Sequence, residues 1–142
     1  MKNRKKIKVL IEKSDTGFSA YAADYPVYTT GNAINELIEN IDEAFSLYFE
    51  GKQFDPSQLS LQLDFKQFFR YYKVINSKAL AEKIGMNPTL LSQYVRGHKK
   101  PSPQQSRRIL YGINKIGQEL AEMSVIYEKK GRKRLRDLGT ER

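Results

Sequence analysis

The sequence predicts an α+β protein in two parts, a β-β-β-α-β unit followed by an all-α unit. Two strand-like runs, "IKVLIEK" and "GFSAYAADY", stand at the front, and a strictly alternating run, "LSLQLDF", stands at residues 59–65. Between them and again after residue 64, apolar residues fall at helical spacing. The charge is divided in the same way. Residues 9–62 hold two bases and nine acids (−7), whereas residues 63–142 hold eighteen bases and seven acids (+11). The first eight residues add five bases and no acid, which completes the net +9. An acidic block beside a basic block points to two surfaces for two kinds of partner.

Taken in order, "SDTG" is the turn between the first two strands, with Asp15 and Gly17 supplying its chemistry. "PVYTTG" continues as a third strand after the break at Pro26. Asn32 is the expected N-cap of a helix over residues 33–49, whose apolar stripe is Ile34, Leu37, Ile38, Ile41, Phe45 and Phe49. Its other side carries Glu36, Glu39, Asp42, Glu43 and Glu50. In "LSLQLDF", Leu59, Leu61, Leu63 and Phe65 alternate with polar residues, the signature of a half-buried strand. Asp64 and Gln67 have capping-box spacing, so a helix follows with almost no linker. Its aromatic run "FFRYY", at i, i+3, i+4 and i+7 from Phe65, reads as core rather than as a base-stacking platform.

The totals exclude several classes. A chain of 142 residues makes one domain or two small ones that support each other. The absence of cysteine excludes disulfides and thiolate metal sites, and no cofactor is expected. The apolar run Val9–Ile11 is too short for a signal peptide, and no stretch is long enough to span a membrane, so a cytoplasmic protein is expected.

The second part is the more informative. Residues 77–85 make a short helix with Leu80, Ala81 and Ile84 inward, and Ala81 is small enough for a second helix to cross closely. Gly85 ends that helix and can take the positive φ of a sharp turn, and Met86 fills the corner. Asn87 caps a second helix, Pro88 occupies its first turn, and Leu91 and Tyr94 face back. A last helix starts at Ser102-Pro103, with Gln105 completing a capping box and Ile109, Leu110, Ile113, Ile116 and Leu120 as its buried stripe. From residue 128 to 142 the text is polar and basic, a tail expected to be disordered.

This helix-turn-helix, with Gly97, Pro101 and a capped helix after it, resembles the XRE (phage-repressor-like) family over about thirty residues. The resemblance implies binding to duplex operator DNA, with Pro88, Thr89, Ser92 and Gln93 at the base edges. Gln93 can bond adenine and Thr89 can meet thymine. Ser77, Arg96, His98, Lys99 and Lys100 would lie along the phosphates, with Arg107 and Arg108 adding to them. Where the family often has glutamine at the first position of each helix, this chain has Ser77 and Pro88, which shifts readout towards DNA shape.

The front half, "GFSAYAADYPVYTTGNAINELIENIDEAFSLYF", resembles the HicB antitoxin pattern of a proline-broken strand and a glycine-led helix. The two resemblances together cover roughly residues 7–127. They imply a partial RNase H-like β-β-β-α-β domain over 1–63, a helix-turn-helix domain over 64–127 and the tail over 128–142. The implied function is an antitoxin that neutralises a HicA-type, mRNA-cleaving toxin and represses its own operon as a homodimer or higher homo-oligomer. The acids Glu36, Glu39, Asp42 and Glu43 are the expected toxin-binding residues. The alternative is a solitary transcription regulator whose front domain oligomerises or senses a ligand. Nuclease chemistry is not expected. It needs carboxylates converging on two metal ions, and Glu12, Asp15, Asp24 and Asp64 stand mostly at strand ends and turns.

Overall fold

The computed structural model describes residues 5–50 and 52–131. Among them the order is β1 (Ile7–Ser14), β2 (Gly17–Ala22), β3 (Tyr28–Gly31), α1 (Ile34–Phe49), β4 (Leu59–Leu63), α2 (Phe65–Tyr71), α3 (Ser77–Ile84), α4 (Pro88–Arg96), α5 (Pro103–Met123) and α6 (Val125–Gly131). The chain is a mixed α+β protein in two compact units. The first runs to Ile75 and includes Val95–Gly97; the second takes Asn76–Tyr94 and the residues from His98 on. None of the described helices is long and apolar enough to cross a membrane.

In the first unit the sheet order is β3-β2-β1-β4. β1, β2 and β3 are successive antiparallel neighbours, with Asp15 and Thr16 as the two-residue loop between Ser14 and Gly17. β4 runs parallel to β1, pairing Ile7 with Leu59 and Ile11 with Leu63. A parallel neighbour cannot be reached by a hairpin, and α1 lies on the crossover to it. α1 buries Leu37, Ile41 and Phe45 against Ile7, Val9, Ile11, Ala20, Ala22 and Val27. The helix starts so close to the sheet that a Cβ on Gly31 would lie 2.6 Å from the Leu37 backbone nitrogen.

Three expectations for this unit change. The N-cap of α1 is Ala33, extended and without a side-chain cap bond, and not Asn32. Asn40 instead ties the helix to β3, its Nδ2 donating to the Thr30 carbonyl at 2.8 Å. Ile34 and Ile38 leave the buried stripe and are exposed, because the sheet lies under Leu37, Ile41 and Phe45, with Ala44 and Phe49 partly buried against the same core. Leu61 is also exposed, since β4 is an edge strand with a neighbour on one side only.

α2 belongs to the first unit, so the compact units divide at Ile75 and not after residue 63. Hydrogen bonds explain why. Asp64 accepts from the Gln67 amide as expected, at 3.1 Å, but the Gln67 side chain does not turn back to complete the box. It accepts from the Lys13 N–H at 2.9 Å and donates to the Lys13 carbonyl at 2.7 Å, extending the β1 edge. Tyr71 donates its hydroxyl to Asp15, and the Lys13 ammonium lies over the Tyr71 ring. Phe65 and Phe69 are buried and stacked on each other, so the aromatic run is packing.

In the second unit, Ser102 caps α5 by accepting from the Gln105 amide, while the Gln105 Oε1 is buried without a partner among the described residues. Ile109 and Gly112 are the buried residues of α5, and Ile113 and Ile116 are half-buried. Leu110 and Leu120, expected in the stripe, are exposed. Gly112 replaces them as the contact point: a Cβ there would stand 2.2 Å from the Ile84 Cγ2, so α5 crosses α3 closely. Helix continues past the expected start of the tail, to Gly131; the tail beyond it lies outside the described residues.

Candidate nucleic-acid interface

Local chemistry shapes α3 and α4. Asn76, one residue before the expected start, caps α3 by accepting from the Ala79 amide at 3.0 Å. Gly85 closes it at φ 70°, a left-handed conformation that costs other residues about 1–2 kcal/mol. Its N–H returns to Ala81 and Glu82, and the Met86 N–H to Ala81, so the turn spends its donors internally. Asn87 Oδ1 then accepts from the Thr89 amide at 2.8 Å and starts α4. Leu80, Ala81, Met86, Leu91 and Tyr94 are buried, which fixes the two helices on each other and leaves the first turn of α4 outward.

The first turns of α3 and α4 meet in one cleft, lined by Ser77, Lys78, Pro88, Thr89 and Ser92. Three of the four expected base-edge residues and one phosphate residue are thus brought together. The fourth base-edge residue, Gln93, is half-buried one position further along α4. Its carbonyl accepts from the His98 amide at 2.8 Å and the Lys99 amide at 3.2 Å. The backbone of the cationic segment is therefore anchored to α4 at Gln93. His98, Lys99 and Lys100 are exposed, as are Arg96 at the end of α4 and Arg107 on α5.

Arg108 has a different position from the one expected. Its Nη2 donates to the carbonyls of Ile84 (3.0 Å) and Gly85 (2.6 Å), so it caps the C-terminus of α3. A guanidinium satisfies the carbonyls that a helix end leaves open and complements its dipole. Lys78 is the residue that sequence reasoning missed. The signal was present: a lysine at the second position of the first helix, directly after Ser77, which was already assigned to the phosphates.

On the first unit, Glu36, Glu39 and Glu43 are exposed and Asp42 is half-buried, all on α1. Glu12 and Asp64 are close enough to interact. Burial first, and then the Asp64 carboxylate, raise the Glu12 carboxyl above its ordinary range, and Arg70 opposes them. Burial also raises the Tyr21 hydroxyl, with Glu12 and Asp64 adding to it. Asp15 accepts from the Tyr71 hydroxyl. Among the described residues no three His, Cys, Asp or Glu side chains group so as to hold a metal ion. No protein-family model, curated protein or solved structure matches the chain.

Proposed function

We propose that this chain is a HicB-type antitoxin that also represses transcription, with a toxin-binding front unit and a DNA-binding rear unit. The single observation behind it is the cleft where the first turns of α3 and α4 meet, lined by Pro88, the hydroxyl residues Ser77, Thr89 and Ser92, and Lys78. A helix whose first turn is polar and outward, on a second helix that shares the turn, is what enters a major groove. In this reading α3 and α4 are a helix-turn-helix of XRE type. Pro88, Thr89, Ser92 and Gln93 meet base edges, and Ser77, Lys78, His98, Lys99, Lys100, Arg96 and Arg107 meet phosphates. Arg108 supports the turn. The front unit is the partial RNase H-like domain of that antitoxin type, non-catalytic and cytoplasmic. It meets a small basic, RNA-cleaving protein through the acidic side of α1.

The test has two arms. The first is fluorescence anisotropy of the purified protein with duplexes from its own promoter, against scrambled duplexes, over a salt series. Specific binding should require half-sites one or more ~34 Å turns apart. The second is co-purification with the product of the neighbouring short, basic reading frame. Failure to prefer any duplex would end the DNA reading. Duplex binding without an associating neighbour would leave a solitary regulator.

A further inference from the structure

The two edges of the four-stranded sheet are finished differently. A sheet edge presents unpaired N–H and C=O groups, and folded proteins cover, charge or interrupt it. On β3 the edge is closed at Thr30, whose carbonyl accepts from the Asn40 side chain at 2.8 Å. β4 has no such device: its sequence, LSLQL, holds no charge and no proline. The Asp64 N–H donates to the Ile11 carbonyl, so Asp64, Gln62 and Ser60 direct their backbone groups to β1. By alternation Leu61 and Leu63 direct theirs outward, where they meet no backbone partner among the described residues. The polar side chains do not cover this edge either, since the Gln62 amide donates to the Ser60 hydroxyl. Leu61 stands on the α1 side of the sheet, as its partner Val9 is buried there, yet it is 39% exposed. α1 packs on β2 and β3 and leaves it bare. Ser60, Gln62 and Asp64 stand on the other face, with Asp64 beside Glu12.

We propose that the β4 edge is a strand-addition site, which takes an extended segment of alternating apolar and basic residues from the small basic partner of the front unit. This rests on the antitoxin reading above and names what holds that partner once the acids of α1 have drawn it in. Outward amides and carbonyls in a row are matched by polypeptide backbone, and neither nucleic acid nor lipid supplies one. A strand laid on β4 points alternate side chains to the two faces of the sheet. Those on the α1 side meet Leu61 and are apolar. Those on the other face fall beside Asp64 and Glu12, two carboxylates with Arg70 acting against them, where a further cation is favoured. Charge also selects this partner over a second copy. Residues 9–62 carry −7, so edge-to-edge pairing of two copies would bring like-charged blocks together. A basic segment brings the opposite charge.

Amide hydrogen exchange tests this, read residue by residue by NMR on the full chain, alone and with the product of the neighbouring short, basic reading frame. Binding should slow the Leu61 and Leu63 amides by about tenfold or more and leave Thr30, on the opposite edge, unchanged. Leu61→Pro removes one outward N–H and no bond between β1 and β4, so the fold should persist. The complex should weaken by about tenfold or more, and Leu61→Ala, which keeps the N–H, should weaken it less. Equal weakening by the two variants would reduce Leu61 to a side-chain contact and overturn the strand. The exchange measurement needs no variant and decides the matter even where the proline chain fails to fold. A complex in which Leu61 and Leu63 exchange as fast as in the free chain would overturn the proposal and leave the antitoxin reading intact. Protection of the same amides in the chain alone, growing with its concentration, would give the edge to a second copy and overturn it as well. No complex with the basic protein would remove the antitoxin reading and this partner together.

Discussion

Gln93 and Arg108 show how single residues of one type of chemistry take separate roles. The backbone of Gln93 anchors the segment of His98 and Lys99, and its amide side chain takes no part in that anchor; in the proposed reading it meets a base edge. Gln93→Ala therefore keeps the anchor and removes only the side chain. It should cost about 1–3 kcal/mol at one operator position and relax specificity there. Lys99→Ala/Lys100→Ala should weaken every sequence alike and flatten the salt slope by about two, and Lys78→Ala by about one. Arg108→Ala should behave differently from these lysines. It leaves the end of α3 uncapped, so it should lower stability by about 1 kcal/mol and leave the salt slope unchanged. A slope that falls with Arg108 would return that residue to the phosphates. Glu12 supplies a pH signature. Its folded carboxyl sits above the ordinary range, so the fold disfavours its charged form. The corresponding stability is present below the ordinary carboxylate pKa and is lost as pH rises through the raised folded value. Glu12→Gln should match the native protein at low pH and become the more stable of the two above that window. Parallel melting curves at every pH would contradict this.

At the scale of elements, α1 and α2 show how packing divides one helix into faces. α1 presents Leu37, Ile41 and Phe45 to the sheet and leaves Glu36, Glu39 and Glu43 to solvent, with the exposed Ile34, Ile38, Leu47 and Tyr48 among them. Opposite charges speed encounter, and apolar contacts hold a complex once it is formed. Glu39→Lys/Asp42→Lys/Glu43→Lys should slow association with the neighbouring basic protein by about tenfold at low salt. The difference should shrink as salt rises, and stopped-flow kinetics at two ionic strengths would show it. Kinetics indifferent to the reversal would move the interface off α1. Gln67 ties α2 to β1 with two hydrogen bonds. Gln67→Ala strands the N–H and carbonyl of Lys13 in a half-buried position and should cost about 1–3 kcal/mol in urea unfolding.

For the whole molecule, the two compact units suggest that the two proposed binding activities are separable. Variants with no shared partners add in free energy to within about 0.5 kcal/mol. The α1 charge reversal should therefore leave duplex affinity unchanged, and Lys99→Ala/Lys100→Ala should leave association with the basic protein unchanged. Binding isotherms for both partners on both variants measure this directly. Reciprocal losses would mean that the two activities are coupled through the chain.

The order of the elements, the α+β class and the turn between α3 and α4 were legible in the sequence, because each depends on nearest-neighbour chemistry. Gly85 reaches a positive φ, Asn87 caps α4, and Asp64 and Ser102 start α2 and α5, all through atoms a few residues away. What depends on distant residues was not legible. Periodicity names a helix face but not how much of it a sheet will cover, so Ile34, Ile38, Leu61, Leu110 and Leu120 became exposed. Gly112 is core because Ile84 meets it, Gln67 left its cap because Lys13 offered two backbone partners, and Arg108 found the end of α3. Sequence set the local bonds. Only the tertiary structure decided which side chains met across the chain, because burial and long-range hydrogen bonds belong to pairs of elements and not to either one alone.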